Sequence, residues 1–371
     1  MDIFNLRTIY ILFLLLFGVL SAYFLLIREN ARIESPVSIS REFEPIQSLT
    51  NPASQELKLQ IPDSYVISQR AHVYQTFNNC GPATLSMALS YWGIDLNQKE
   101  LGDILRPYQV AGGNNDDKSV TLKEVANQAV VYGLHAYLRP NGTFETIEKF
   151  ISQDIPVVAR TWTKVGEDIG HYRIVRGYDK TAQEIIQDDS LQGENTRYSY
   201  SEFNAMWRPF NYEYLILADE SKKDLVEAIL GEELDEKAAW QNALVRIENE
   251  IARDPDNWHL IFAKSRIYYY LGEYEKSVGQ FEEVENKLSF RTLWYQIEPI
   301  YSYFELGDYD RVFEITSRIL NNENRAFSEL YIIRGNIYKN QGNIDATRAE
   351  YEKAVFYNSN FTVARSALNS L

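Results

Sequence analysis

The pattern of apolar and polar positions divides the chain into four unlike stretches. Residues 9–27 read IYILFLLLFGVLSAYFLLI, with no charged side chain. At ~1.5 Å per residue a helix of that length is about 28 Å long, the depth of a bilayer core, so the pattern predicts a membrane span. Residues 31–60 carry Pro36, Pro45 and Pro52 and no sustained period, which predicts a flexible tether. From residue 61 to 219, short apolar runs alternate with segments of helical period. Leu85, Ala88, Leu89 and Trp92 share one face of a helix that begins at Gly81 and Pro82 and stops at Gly93. Residues 122–133, 143–153 and 199–207 also read as helices. Residues 157–162, 170–179, 184–189 and 212–218 read as strands, as does the GLHAYLR run around His135. Together they predict an α+β domain.

From residue 220 onward the pattern is helical and it repeats. Gly272, Gly307 and Gly342 follow one another at intervals of 35 residues. Tyr268, Tyr303 and Tyr338 each lie four positions before their glycine, and Phe281 and Tyr351 lie nine after theirs. Residues 238–252, followed by Asp254 and Pro255, read as the second helix of a degenerate first repeat. The interval is close to that of helix–turn–helix arrays, and residues 220–371 resemble a tetratricopeptide (TPR) domain. The resemblance implies a concave groove that grips a protein partner.

Charge and composition narrow the function. The chain has 371 residues and a formal net charge of −15, with no long basic run, which argues against nucleic acid as a partner. The single cysteine, Cys80, excludes a disulfide framework and a cysteine-based zinc or iron–sulfur site, and no cofactor or metal is expected. Arg7 precedes the apolar run and Arg28 and Arg32 follow it, while Leu20-Ser21-Ala22 is a poor cleavage site. An uncleaved single-pass anchor is therefore expected over residues 1–30, with the membrane as a partner, and the flanking charges favour a cytoplasmic tip only weakly.

Cys80 precedes Gly81-Pro82 and so falls at a helix N-terminus, where the positive end of the helix dipole favours a thiolate. A lone cysteine is as readily an inert buried thiol. Of the four histidines, His72 lies on the approach to Cys80, His135 on a strand and His259 in the repeats. His171 opens the strand GHYRIVRGYD at the sheet edge, where an imidazole facing a helix-capping thiol would serve a thiol enzyme. The run IIQDDSLQG brings Asp188 and Asp189 to a turn, and either carboxylate could orient the imidazole. Taken alone, Asp-Asp-Ser is ordinary turn chemistry.

The segments QTFNNCGPATLSMAL, GHYRIVRGYD and IIQDDSLQG together resemble the papain-like cysteine peptidases that remove double-glycine leaders from bacteriocins, and more closely their stand-alone relatives, over about residues 64–219. The resemblance implies a papain-like fold with Cys80 as nucleophile, His171 as general base and acid, Asp189 as the residue orienting His171, and Gln75 as oxyanion donor. It also implies a peptide or protein substrate and an extracytoplasmic catalytic domain. Ser190 stands where the family's turn has proline. Arg173 and Arg176 interrupt a strand that is usually aliphatic, so that face is expected to meet substrate or solvent. No Walker-type GxxxxGK[ST] run is present, which argues against an exporter. The expected protein is a membrane-anchored cysteine peptidase with TPR-mediated recruitment. A silent peptide-binding scaffold, or a thiol amidase or acyltransferase using the same residues, are the alternatives.

Overall fold

The computed structural model of the protein describes residues 59–108, 119–321 and 324–371. Residues 59–218 are built on an antiparallel sheet of seven strands: β1 (Ser64–Val66), β2 (His135–Arg139), β3 (Val157–Lys164), β4 (Glu167–Asp179), β5 (Glu184–Asp189), β6 (Gly193–Ser199) and β7 (Tyr214–Ala218). Their order is β2-β7-β3-β4-β5-β6, with β1 added against β4. The central strands are apolar at successive positions because both faces of the sheet are covered. Ile174 and Leu215 pack beneath α1 (Cys80–Ser90) and α3 (Leu122–Val131). Val175 and Ile216, one residue further on, pack on the opposite face with Phe150 of α4 (Phe144–Ile151) and Phe203 and Trp207 of α5 (Tyr200–Trp207).

The local starts follow from capping. Ser199 and Glu202 form a capping box at the head of α5, as do Thr121 and Glu124 at α3. A third box, Asn97 with Glu100, starts α2 (Gln98–Leu105), for which the apolar pattern gave no sign. Helix α1 differs from the amphipathic expectation: it ends at Ser90, and Cys80 through Leu89 are all buried. It lies between the sheet and α2 and α3, so no face of it meets solvent.

Residues 223–371 are helical throughout: α6 (Lys223–Leu230), α7 (Glu236–Ile251), α8 (Trp258–Tyr270), α9 (Tyr274–Val284), α10 (Glu298–Glu305), α11 (Tyr309–Asn321), α12 (Ser328–Asn340), α13 (Ile344–Tyr357) and α14 (Thr362–Asn369). Gly272, Gly307 and Gly342 each sit at the turn of a helical hairpin with φ of +77°, +75° and +75°, a backbone state in which a Cβ is strained. Helix α7 packs Trp240, Ala243 and Ile247 against Leu260, Ala263 and Ile267 of α8.

The two regions share one core. Trp162, Met206 and Phe210 of the α+β region pack with Phe262, Leu293 and Tyr295 of the helical region. A chain of buried charges crosses the same boundary. Arg160 Nη1 donates to Glu213 Oε2 at 2.8 Å, and Arg266 Nη2 donates to Glu213 Oε1 at 2.8 Å and Glu298 Oε1 at 2.7 Å. Burial disfavours the Arg266 cation, but Glu213 and Glu298 outweigh it and raise its pKa.

One expectation is corrected here. The expected architecture included an N-terminal transmembrane helix, whereas among the described residues no helix is long and apolar enough to cross a membrane. The span expected at residues 9–27, with most of the tether at 31–60, lies outside the described residues. The fold class retained is an α+β peptidase-like region followed by a helical region. The membrane as partner and the membrane-anchored localisation are dropped with the span.

Candidate active site

Helix α1 begins at Cys80 without a side-chain cap. The approach is a tight turn in which Asn78 has φ of +51°. Asn79, which could have capped the helix, instead donates through Nδ2 to Gln98 Oε1 at 2.9 Å. Gln98 also donates to the Tyr74 carbonyl at 2.7 Å and accepts from Thr76 N at 2.8 Å, so one side chain of α2 ties down the segment leading to the thiol. Arg106, at the end of α2, donates to the Asn78 carbonyl and is buried. Burial pushes its pKa down to about 10, and the negative charge of Cys80 pulls the other way.

His171 lies inside β4, which is paired on both sides, rather than at the sheet edge expected from its sequence position. Pleating then decides its partner. His171 and Arg173 share a face, and Asp189 stands opposite Arg173 in the register with β5. His171 Nε2 donates to Asp189 Oδ1 at 2.9 Å, and Arg173 Nη1 donates to Oδ2 at 3.1 Å. Asp188 is sent to the other face, where Oδ2 accepts from Arg176 Nε at 2.8 Å and Oδ1 from Asn195 N at 2.9 Å. The expectation that Arg173 and Arg176 face substrate or solvent is therefore corrected: they are 0% and 3% exposed, and each is the counter-ion of a buried carboxylate.

Burial alone would lower the His171 pKa. The hydrogen bond to Asp189, the nearby Cys80 thiol and the charges of both outweigh burial and raise it. Nε2 faces Asp189, which leaves Nδ1 as the ring nitrogen on the Cys80 side. Burial works to raise the Asp189 pKa, yet the hydrogen bond and charge of His171, the charge of Arg173 and the Gln192 amide bring it down to about 2. Asp189 Oδ1 also accepts from Leu191 N and Gln192 N at 2.7 and 2.9 Å, so the carboxylate is held from several sides.

Gln75, Cys80 and His171 line one cavity of about 210 Å³. Gln75 Oε1 accepts from Ser190 Oγ at 2.8 Å, which leaves Nε2 as the amide's donor. His72 lies near the cluster but donates to the Asp189 main-chain carbonyl at 3.0 Å. His135 pairs with Glu220 at 2.7 Å on the surface, away from the thiol. Among the described residues no group of three or more metal-ligating side chains is found. Gln98, Arg106 and the hydroxyl of Ser190 are the parts that sequence reasoning missed. The Asn97–Glu100 capping box was the one local signal that could have located α2 and its two side chains.

An antiparallel α+β region with a thiol at a helix start, beside an imidazole hydrogen-bonded to a carboxylate, is the arrangement of thiol hydrolases as a class. Residues 62–215 match the model of the Peptidase_C39 like family, which assigns this region to the C39-like (bacteriocin-processing) peptidases at the level of the superfamily. Two solved structures are similar to it. The peptidase domain of Streptococcus ComA, described as a bi-functional ABC transporter involved in a quorum sensing pathway, shares 18% identity over 41% of this chain and 100% of its own, with a TM-score of 0.32. A double glycine motif protease from an AMS/PCAT transporter, solved in complex with the leader peptide, shares 16% identity over 42% of this chain and 98% of its own, with a TM-score of 0.31. No curated protein matches the chain.

Proposed function

We propose that the α+β region is a cysteine peptidase in which Cys80, His171, Asp189 and Gln75 do the chemistry. The observation that carries this reading is that Cys80 and His171 line one open cavity while His171 Nε2 donates to Asp189 Oδ1 at 2.9 Å. The Cys80 proton passes to His171 and the thiolate attacks a peptide carbonyl carbon. The carbonyl oxygen becomes an oxyanion that accepts from Cys80 N–H and Gln75 Nε2. His171 gives its proton to the leaving nitrogen, the C–N bond breaks and a thioester remains. Water then attacks the thioester, His171 takes the water's proton, and the acid product leaves with the thiol restored. Asp189 keeps the ring oriented and stabilises its cationic form.

We read residues 220–371 as a TPR-like region. The 35-residue spacing and the left-handed glycine at each of three hairpin turns support that reading. Its shared core and buried charges with the α+β region support a role as a fixed part of the catalytic body.

The test is Cys80→Ala together with a thiol-directed acylating probe at neutral pH. The expected result is fast labelling of Cys80 in the wild type, loss of turnover in the variant and an unchanged far-UV spectrum. Labelling no faster than that of a free model thiol would favour the silent scaffold. Release of ammonia or acyl transfer without chain cleavage, read by mass spectrometry, would favour the amidase or acyltransferase.

A further inference from the structure

The cavity beside Cys80 and His171 is not enclosed by the α+β region alone. Residues 289–296, which connect α9 to α10, run along it, and Arg291, Trp294 and Tyr295 line it. This strap is fastened to β3 and β4. Ser289 Oγ and Thr292 Oγ1 donate to Asp168 Oδ2 at 2.9 and 2.8 Å, and Tyr295 Oη donates to Asp168 Oδ1 at 3.1 Å. Arg160 Nη2 donates to the Tyr295 carbonyl at 2.8 Å. Gly170, next to His171, lets the Tyr295 ring approach: a Cβ there would lie 3.2 Å from it.

The strap brings a charge to the cavity. Among the described residues no aspartate or glutamate lines this cavity, and its permanently charged group is the Arg291 guanidinium. Asp168, close by on β4, is occupied by three hydroxyls of the strap. Arg291 lies over the rings of Phe290 and Trp294, 5.0 and 6.0 Å from their centres, and has no carboxylate partner among the described residues. A guanidinium held by aromatic rings, its hydrogen-bonding fork without a partner among the described residues, is suited to a carboxylate, which it binds through two parallel hydrogen bonds.

We propose that Arg291 is a specificity-determining residue that selects peptides carrying a carboxylate close to the scissile bond. The inference rests on the peptidase reading of the same cavity. The carboxylate can be an aspartate or glutamate side chain or the C-terminus of a short peptide, and both present the same chemistry to Arg291.

The experiment uses the full chain and a mixture of synthetic peptides, with cleavage followed by mass spectrometry. The peptides come in matched sets that place Glu, Gln or Lys at each position around a common sequence, with free or amidated C-termini. The wild type is expected to cut the carboxylate-bearing member of a set about tenfold faster or more, the effect of one charge-assisted contact. Arg291→Gln should bring that ratio close to one, and Arg291→Glu should turn the preference toward Lys. A gained preference needs a folded, active enzyme, so misfolding cannot imitate it. Loss of the preference on amidation points to the C-terminus, and loss on exchange of Glu for Gln points to the side chain. Equal rates on all three members together with equal rates on their free and amidated forms, or an acidic preference that survives in Arg291→Glu, would overturn the inference and leave the peptidase reading standing. Failure of the wild type to cut any peptide, with slow labelling of Cys80, would overturn that reading and the inference with it.

Discussion

Ser190 Oγ donates a hydrogen bond to Gln75 Oε1 at 2.8 Å, and Gln75 N donates to the Ser190 carbonyl at the same distance. The two residues are 115 positions apart, and this pair of bonds joins the Gln75 side of the cavity to the turn that carries Asp189. With Oε1 occupied, the amide of Gln75 is held with Nε2 as its donor. Ser190→Ala frees the amide to rotate, and kcat is expected to fall about fivefold to tenfold. Gln75→Ala removes the donor itself and should cost on the order of 100-fold or more. The double variant should be no worse than Gln75→Ala alone, because Ser190 acts through Gln75. Additive losses in that cycle would show that Ser190 acts elsewhere.

The adjacent carboxylates Asp188 and Asp189 should separate in experiment because pleating sends them to opposite faces of β5. Asp189→Asn removes the charge that favours the His171 imidazolium, and kcat should fall roughly 100-fold or more. Proton donation to the leaving nitrogen needs the imidazolium, so activity is lost as pH rises through the His171 value. That alkaline limb should lie above the ordinary imidazole range of ~6.5 in the wild type and move down in Asp189→Asn. Asp188→Asn should act chiefly on stability. It leaves the Arg176 guanidinium, 3% exposed, without its carboxylate, at a cost of roughly 3–5 kcal/mol in urea unfolding. A pH profile shifted by Asp188→Asn and not by Asp189→Asn would reverse the assignment.

These two cases mark what could be read from the chain. Cys80 at a helix start and His171 on a strand were legible because Pro82 in the first turn and an apolar run are local signals. The choice between Asp188 and Asp189 depends on a register across β4 and β5, which no window along the sequence contains. Arg173 and Arg176 were misplaced for the same reason: an arginine in a strand signals solvent unless its buried partner on the next strand is known. The glycine interval of 35 residues located three helical hairpins, since a left-handed turn residue is again a local requirement. The residues of the helical region that line the cavity beside Cys80 gave no sign in the sequence. Arg291 and Tyr295 lie more than 100 positions from His171, and packing alone brings them there.

The charge chain Arg160–Glu213–Arg266–Glu298 makes the two regions one cooperative unit. Arg266 is fully buried and bonded to both carboxylates. Arg266→Met would leave Glu213 and Glu298 short of a cation, and the expected loss is roughly 3–5 kcal/mol. Trp162, Met206 and Phe210 share a core with the helical region, so tryptophan fluorescence and far-UV circular dichroism should report one coincident unfolding transition in wild type and variant. Two separated transitions in the wild type would show that the regions unfold independently and would defeat this expectation.

His259 and His171 should pull stability in opposite directions with pH. His259 lies against Trp258 and Trp162, with ring centres 3.4 and 4.7 Å away. Burial there disfavours the imidazolium and lowers its pKa to about 4, against an opposing pull from Asp168. Above ~6.5 the ring is neutral in folded and unfolded chains alike and contributes no pH dependence. As pH falls from there toward about 4, the unfolded chain takes up a proton that the folded chain refuses, so stability declines over that window and levels off below it. His171 is raised, so its contribution is present in full below the unfolded value and is lost as pH rises through the folded one. Asp189 lies outside this range, since its stabilisation is lost only as pH falls below ~3.9 toward about 2. Urea midpoints for the wild type and His259→Phe, measured at several pH values between about 7.5 and about 4.5, isolate the first effect. The wild type is expected to lose stability across that span more steeply than His259→Phe, whose ring fills the same aromatic site without binding a proton. An equal slope in the two proteins would mean that His259 titrates as it does in the unfolded chain.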